Sequence, residues 1–291
     1  MHLNEQFTRI PEDLVDIYIL IFSAAGIPHK VFHSQDGFTI LIHEMDYEKA
    51  THNLIRYFEE NPLQPDEKIL NPVEYPKSPT GIFTALFIFL SHVIPVLVLD
   101  RTAYVDIYAA SSQRIVTGEL YRAVTALFLH DGPVHLLSNM AGMAIFGSIA
   151  CSVSGWGAGI FMILMTGVLG NLLTALFYAD IWHRSIGAST AVFGAVGIFT
   201  GWEFRSRLKI SMNRFRVFLP LGSAIALLGF FSSGKNTDIM SHLLGCISGV
   251  VAGFFYVEYL ITRRDRFYFQ LSYLLISVMI ICVAFLSPYL I

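Results

Sequence analysis

Apolar and polar positions follow different rhythms in different parts of the chain. Residues 12–25 (EDLVDIYILIFSAA) place apolar side chains at helical spacing, and Gly26-Ile27-Pro28 ends the run. His29–Ser34 and Phe38–His43 read as two short strands about the turn Gln35-Asp36-Gly37, and Tyr47–Glu59 as a second amphipathic helix. Residues 1–65 are therefore expected to form a small α+β domain. A proline-rich, charge-alternating stretch at 66–80 follows, which no helix can cross, so it is expected to be a linker. Beyond it come seven apolar segments, at 81–100, 134–153, 157–179, 187–202, 217–233, 239–261 and 267–287. Each is near the roughly 20 residues that cross a bilayer. The fourth is expected to be shorter, about 24 Å at 1.5 Å per residue, with one end below the surface.

Composition agrees with that division. Hydrophobic residues make up 54% of the 291 and charged residues only 14%, with a mean hydropathy of +0.58, which argues against a purely water-soluble enzyme. Residues 1–80 hold six Lys/Arg against thirteen Asp/Glu, while the remainder is net positive. An acidic leading part with no basic, aromatic-studded tract sets nucleic acid aside as a partner. The start of the chain carries early acids and no basic run before an apolar stretch, so it does not read as a secretory signal, and the first domain is expected to stay where it is made. Basic residues cluster at 202–216 and 262–266, which makes both loops cytoplasmic and, counting spans, puts the N-terminus inside. The long connection 101–133 then lies outside and has apolar groups enough to fold against the membrane face. Cys151, Cys246 and Cys282 all sit in apolar runs, without the spacing of a disulfide framework or zinc site, and read as small core hydrophobes.

That topology gathers polar residues distant in sequence. His135 and Asn139 lie four apart on one face at the outer end of the second span. Ser189 lies three residues into the fourth span, and His242 in the first turn of the sixth, both again at outer ends. Unpaired polar groups at that depth are costly, so a functional site is the default reading. Gly245, Gly249 and Gly253 form a bare stripe beside His242, and Ser189, Phe193, Gly197 and Gly201 repeat every four residues on the fourth span. Two such faces can pack backbone to backbone, setting Ser189 opposite His242. A serine hydroxyl is a weak nucleophile until an imidazole takes its proton. His135, Asn139 and the Ser189 N–H would then stabilise the developing oxyanion. Taken singly, an intramembrane Ser bonded to its own helix or a glycine stripe used for packing is the plainer reading; the conjunction is what favours chemistry. No His-Glu-x-x-His occurs, no repeated halves suggest a transporter, and no cofactor is expected. Thr237 or Asp238 is expected to cap the sixth helix, in preference to Asp238 orienting the His242 ring. Glu258 is expected to pair with Arg263 or its neighbours.

Over about residues 81–261 the chain resembles the rhomboid family of intramembrane serine proteases, with a seventh helix at 267–287 added to the six-helix core. The resemblance rests on Glu119-Leu120-Tyr121-Arg122, HLLSN at 135–139, GAST at 187–190 and SHLLGCISG at 241–249, in that order. It implies a Ser189–His242 dyad, oxyanion stabilisation by His135 and Asn139, and Phe193 stacked on the His242 ring. Glu119, Arg122, Gly187, Gly245 and Gly249 take structural parts, and His130 is likewise left structural. It also implies a gate at the fifth span, substrates that are single-span membrane proteins, and a bilayer, in bacteria the inner membrane, with the site opening to the extracytoplasmic side. Two departures stand out. Tyr121 replaces the usual Trp, and Thr190 replaces the glycine after the nucleophile, adding a side chain near the expected substrate and oxyanion position unless it points into the bundle. A catalytically silenced relative that binds transmembrane helices is the alternative.

Overall fold

The computed structural model describes residues 5–34, 37–61, 77–98, 100–209, 214–231 and 237–290. The chain divides into two units, Met1–Glu74 and Tyr75–Ile291. In the first, β1 (Glu5–Ile10), α1 (Glu12–Ala24), β2 (His29–Ser34), β3 (Gly37–Ile42) and α2 (Tyr47–Glu60) form an α+β layer. The sheet order is β1-β3-β2, antiparallel throughout, with Val31 opposite Ile40 and His29 opposite Ile42. Ile40 and Ile42, two apart and hence on one face, are wholly buried in a core with Phe22, Ala50 and Leu54. Strand β1 has no counterpart in the sequence reading. Its pairing shifts register between Phe7 and Ile10, and Arg9 adopts a positive φ of 57°, so the regular alternation that announces a strand is broken. Residues 35–36 of the expected turn and most of the expected linker lie outside the described residues.

The second unit is helical. It comprises α3 (Thr80–Val98), α4 (Arg101–Tyr108), β4 (Ala110–Ser111), α5 (Ser112–Val116), α6 (Tyr121–Thr125) and α7 (Pro133–Gly142), the last continuing through a π turn (Met143–Gly147) into α8 (Ser148–Ser154). Then come α9 (Trp156–Phe177), β5 (Arg184–Ser185), α10 (Ser189–Lys209), α11 (Arg214–Phe231), α12 (Ile239–Ile261) and α13 (Phe267–Leu286). Five helical stretches among the described residues are long and apolar enough to cross a membrane: Pro133–Ser154, Trp156–Phe177, Arg214–Phe231, Ile239–Ile261 and Phe267–Tyr289. The protein is a multi-pass integral membrane protein. α10 forms its axis, with every residue from Thr190 to Ile198 buried, whereas α3, α11 and α13 expose large apolar side chains such as Phe83, Phe218 and Met279. A helix apolar all round belongs inside a bundle, and one with a bare apolar face belongs against lipid.

One expectation is extended and two change. The helix that holds the fourth apolar segment outruns it: α10 continues through a charged end to Lys209, where Glu203 pairs with Arg207 one turn on, and Arg205 and Lys209 both pair with Glu258 of α12. Glu258 therefore binds the basic residues of α10 and not Arg263, which lies over the Tyr259 ring. Cys282 is exposed on α13, unlike the buried Cys151 and Cys246. The 101–133 connection does fold onto the bundle, with Ala123, Leu127 and Phe128 in the main core. The added helix α13 is stapled to it by Gln270, fully buried, whose Oε1 accepts the Gly157 and Ala158 N–H groups at 2.8 and 2.9 Å. Those N–H groups open α9 and have no intrahelical acceptor.

Candidate active site

Gly187 enters the site segment at φ +129°, a conformation costly for any residue with a Cβ. Its N–H donates to the Ala126 carbonyl at 2.9 Å, and the Ala188 N–H to His130 Nε2 at 3.4 Å. The Ala188 carbonyl accepts the Val192 N–H at 2.9 Å, so Ala188 begins the helical ladder and Ser189 is the first residue of α10, rather than the third of a span. The Ser189 N–H is thus among the first-turn donors without an intrahelical acceptor, at the positive end of the helix dipole.

His242 falls in the first turn of α12 and is buried. Its ring lies on Phe193, with centroids 4.5 Å apart and planes inclined by 31°. Phe193 is one turn beyond Ser189 on the same face, so the contact holds the imidazole alongside the serine's own helix face. The glycine stripes make this approach possible. A methyl group on Gly249 would stand 2.9 Å from Gly197 Cα, and one on Gly253 would stand 2.7 Å from the Ile198 carbonyl carbon. Gly245 faces Thr190 in the same way, 3.0 Å from its Cγ2.

Thr190 is 2% exposed, and its Cγ2 fills the space between α9 and α12, where a methyl on Gly170 would meet it at 2.6 Å. The side chain therefore faces the bundle. In this placement Thr190 packs against Gly170 and Gly245 and adds no side chain in front of Ser189.

His135 and Asn139 converge on the turn before Ser189. A methyl on Gly187 would lie 2.6 Å from His135 Nε2 and 3.5 Å from Asn139 Nδ2. His135 Nδ1 accepts the Asp131 N–H at 3.4 Å, which assigns the proton of a neutral ring to Nε2, the nitrogen turned toward Gly187. Asn139 Nδ2 donates to the His135 carbonyl at 3.0 Å, so the amide is held by its own helix.

Glu119 and Arg122 lie in the connection that backs this turn. The buried Arg122 guanidinium meets Glu119 at 2.6 Å and donates to the Asp106 and Ala109 carbonyls at 2.8 and 3.1 Å. Burial works against the Glu119 carboxylate, but hydrogen bonds from Arg122 and Tyr121 hold its pKa below the usual value. Asp238 caps α12: Oδ1 accepts the Ser241 N–H at 3.1 Å. Its other oxygen, Oδ2, lies 2.9 Å from His183 Nε2. Here too burial opposes the charge, and the bonds from His183 and the Ser241 N–H bring the pKa down. His183 is absent from the sequence reading, since no local pattern joins positions 55 residues apart. His130 packs edge-on between the His92 and His135 rings, at 5.4 and 5.2 Å.

The family model for the Rhomboid domain matches residues 117–259. The chain is 28% identical over 155 residues to the putative rhomboid protease YdcA of Bacillus subtilis (strain 168), covering 53% of this chain and 74% of that one. It is 30% identical over 141 residues to rhomboid-like protease 3 of Toxoplasma gondii, covering 47% and 52%, so it spans about half the length of that relative. It is also 25% identical over 170 residues to human inactive rhomboid protein 2, covering 56% of this chain and 19% of the relative. Motif order, helical bundle and family match agree: residues 117–259 carry a Rhomboid domain, and the chain is similar to proteins named as rhomboid proteases.

Proposed function

We propose that the protein is an intramembrane serine endopeptidase that hydrolyses peptide bonds in or beside transmembrane segments of other membrane proteins. One observation carries the reading: His135 and Asn139 nitrogens flank the Gly187 turn, Ser189 opens α10 directly after it, and the His242 imidazole lies on Phe193 one turn along the same helix face. Ser189 Oγ attacks the scissile carbonyl carbon while His242 takes the hydroxyl proton. The carbonyl oxygen becomes an oxyanion facing the Ser189 N–H, His135 Nε2–H and Asn139 Nδ2–H, donors already in place as charge develops. His242 returns the proton to the leaving amine, the C–N bond breaks, and an acyl ester on Ser189 remains. Water, deprotonated by His242, then attacks the ester and releases the carboxylate and the free serine. Removing one oxyanion donor is expected to cost about 10²–10³ in rate.

Arg205, Arg207, Lys209, Arg214 and Arg216 meet at one end of α10 and α11, and Arg263, Arg264 and Arg266 follow α12, which supports a cytoplasmic face there. Ser189 and His242 stand at the opposite helix ends, so the site opens to the extracytoplasmic side, in a bacterial inner membrane with the N-terminal domain cytoplasmic. The second reading, a silenced helix-binding relative, draws on the human relative's name as inactive. Reaction of purified protein with a fluorescent fluorophosphonate separates them. Wild type is expected to label while Ser189→Ala and His242→Ala do not; wild-type labelling no greater than in Ser189→Ala sinks the protease reading.

A further inference from the structure

The α10–α12 seam is built from glycines and backbone, which bring the helices close but present few side chains to interlock along their axes. Axial register must come from elsewhere. At the far end of the seam Glu258 of α12 binds the half-buried Arg205 at 2.7 Å and the exposed Lys209, ion pairs of the kind that solvent weakens, and Arg205 also donates to the Phe254 carbonyl at 2.8 Å. At the catalytic end, beside the Phe193–His242 ring contact, a polar connection runs from His183 to Asp238, 2.9 Å, with side chains only 24% and 14% exposed.

Both members are fixed by other bonds. The His183 ring stacks on Tyr178, centroids 4.1 Å apart and planes at 24°, and its carbonyl accepts the Ser112 N–H and hydroxyl at 3.0 and 3.2 Å. The next two residues form β5, which pairs with β4. Six residues after His183 comes Ser189. On the other side Asp238 caps α12, and its carbonyl accepts the His242 N–H at 3.2 Å. Hydrogen bonds to Asp238 from His183 and from the Ser185 side chain, between two short, well-anchored arms, therefore join the segment bearing the nucleophile to the helix turn bearing the base.

We propose that His183 is a positioning residue: through Asp238 it sets the axial register of α12 against the Ser189 segment, and so the reach of His242 to Ser189. This rests on the protease reading above. The clasp touches neither substrate nor reacting atoms, so its loss acts on the chemical step and leaves substrate binding nearly intact. A misplacement on the order of 1 Å is worth about 100-fold in rate.

The test is steady-state cleavage of a transmembrane substrate by the full chain in detergent, with fluorophosphonate labelling and amide hydrogen exchange alongside. His183→Ala is expected to lower kcat by about 10- to 100-fold with KM changed less than about twofold. His183→Gln, whose Nε2–H can reach the same carboxylate, is expected to recover most of that loss. A general packing defect would show neither the split nor the rescue. Should His183→Ala fail to fold, Asp238→Asn retains the capping oxygen and removes the charge, and is expected to lower kcat alone. Wild-type kcat in His183→Ala or in Asp238→Asn, or no recovery in His183→Gln, overturns the proposal. Unchanged exchange at the Ser241 and His242 amides in His183→Ala overturns it as well. Wild-type protein that neither cleaves nor labels beyond Ser189→Ala overturns the protease reading instead, while amide exchange still reports on the clasp.

Discussion

Thr190 shows how one side chain can mislead when only its neighbours in sequence are known. Next to Ser189 it looks like an obstruction where substrate should lie, but the first turn of a helix rotates consecutive residues by about 100°. Ser189 keeps partial exposure while Thr190 turns inward, its methyl seated between Gly170 and Gly245. Thr190→Gly is therefore expected to weaken the bundle by about 1–3 kcal/mol, from the lost methyl contacts and the added backbone freedom of glycine. It is not expected to unlock the site. A thermal shift should fall while fluorophosphonate labelling of the folded fraction stays near wild type; labelling gained over an unreactive wild type would make Thr190 the silencing residue. The same scale shows what sequence could reveal of the site. Ser189, His242, His135 and Asn139 were legible because polar side chains at one depth of an apolar span are rare and costly. His183 was not, because its partner Asp238 lies in another loop and both residues are ordinary there.

The elements divide by how closely they approach. α10 and α12 meet with backbone against backbone at Gly197 and Gly249, whereas α11 leaves open space around Gly222 and exposes Phe218 and Phe230. Glycine on these two helices therefore means different things. Gly249→Ala puts a methyl 2.9 Å from Gly197 Cα, closer than real side chains stand, with no flexible neighbour to yield. The helices must separate there, one turn or more from His242, and the variant is expected to lose both thermal stability and labelling. Gly222→Ala meets nothing within 4 Å and is expected to be neutral or stabilising by up to about 1 kcal/mol through helix propensity. Measured together by thermal unfolding in detergent, Gly249→Ala should fall while Gly222→Ala holds or rises; an unaffected Gly249→Ala would mean that the seam is looser than its geometry.

Across the whole molecule, the sequence was most readable where one physical constraint dominates. The need to fill a bilayer with apolar residues announced the helices of the membrane unit, and helical or alternating periodicity announced α1, β2, β3 and α2. It was least readable where local pattern and tertiary pairing diverge. The bulged β1 breaks its alternation, and α10 continues past its apolar segment into a charged end where Glu258 of another helix receives Arg205 and Lys209. That contrast bears on the first unit, whose core of Phe22, Ile27, Ile40, Ile42 and Leu54 is contributed by its own elements. Domains near 60 residues can fold alone, though with a small margin. Residues 1–74 expressed separately are expected to unfold in one cooperative transition, monitored by circular dichroism. A fragment that begins at Glu12 loses β1, leaving β3 without one of its two partners and the core without Ile10, and is expected to lose that cooperativity. Equal transitions in the two fragments would show that β1 contributes nothing to the fold of this unit, contrary to the pairing of Glu5–Phe7 with Ile40–Ile42.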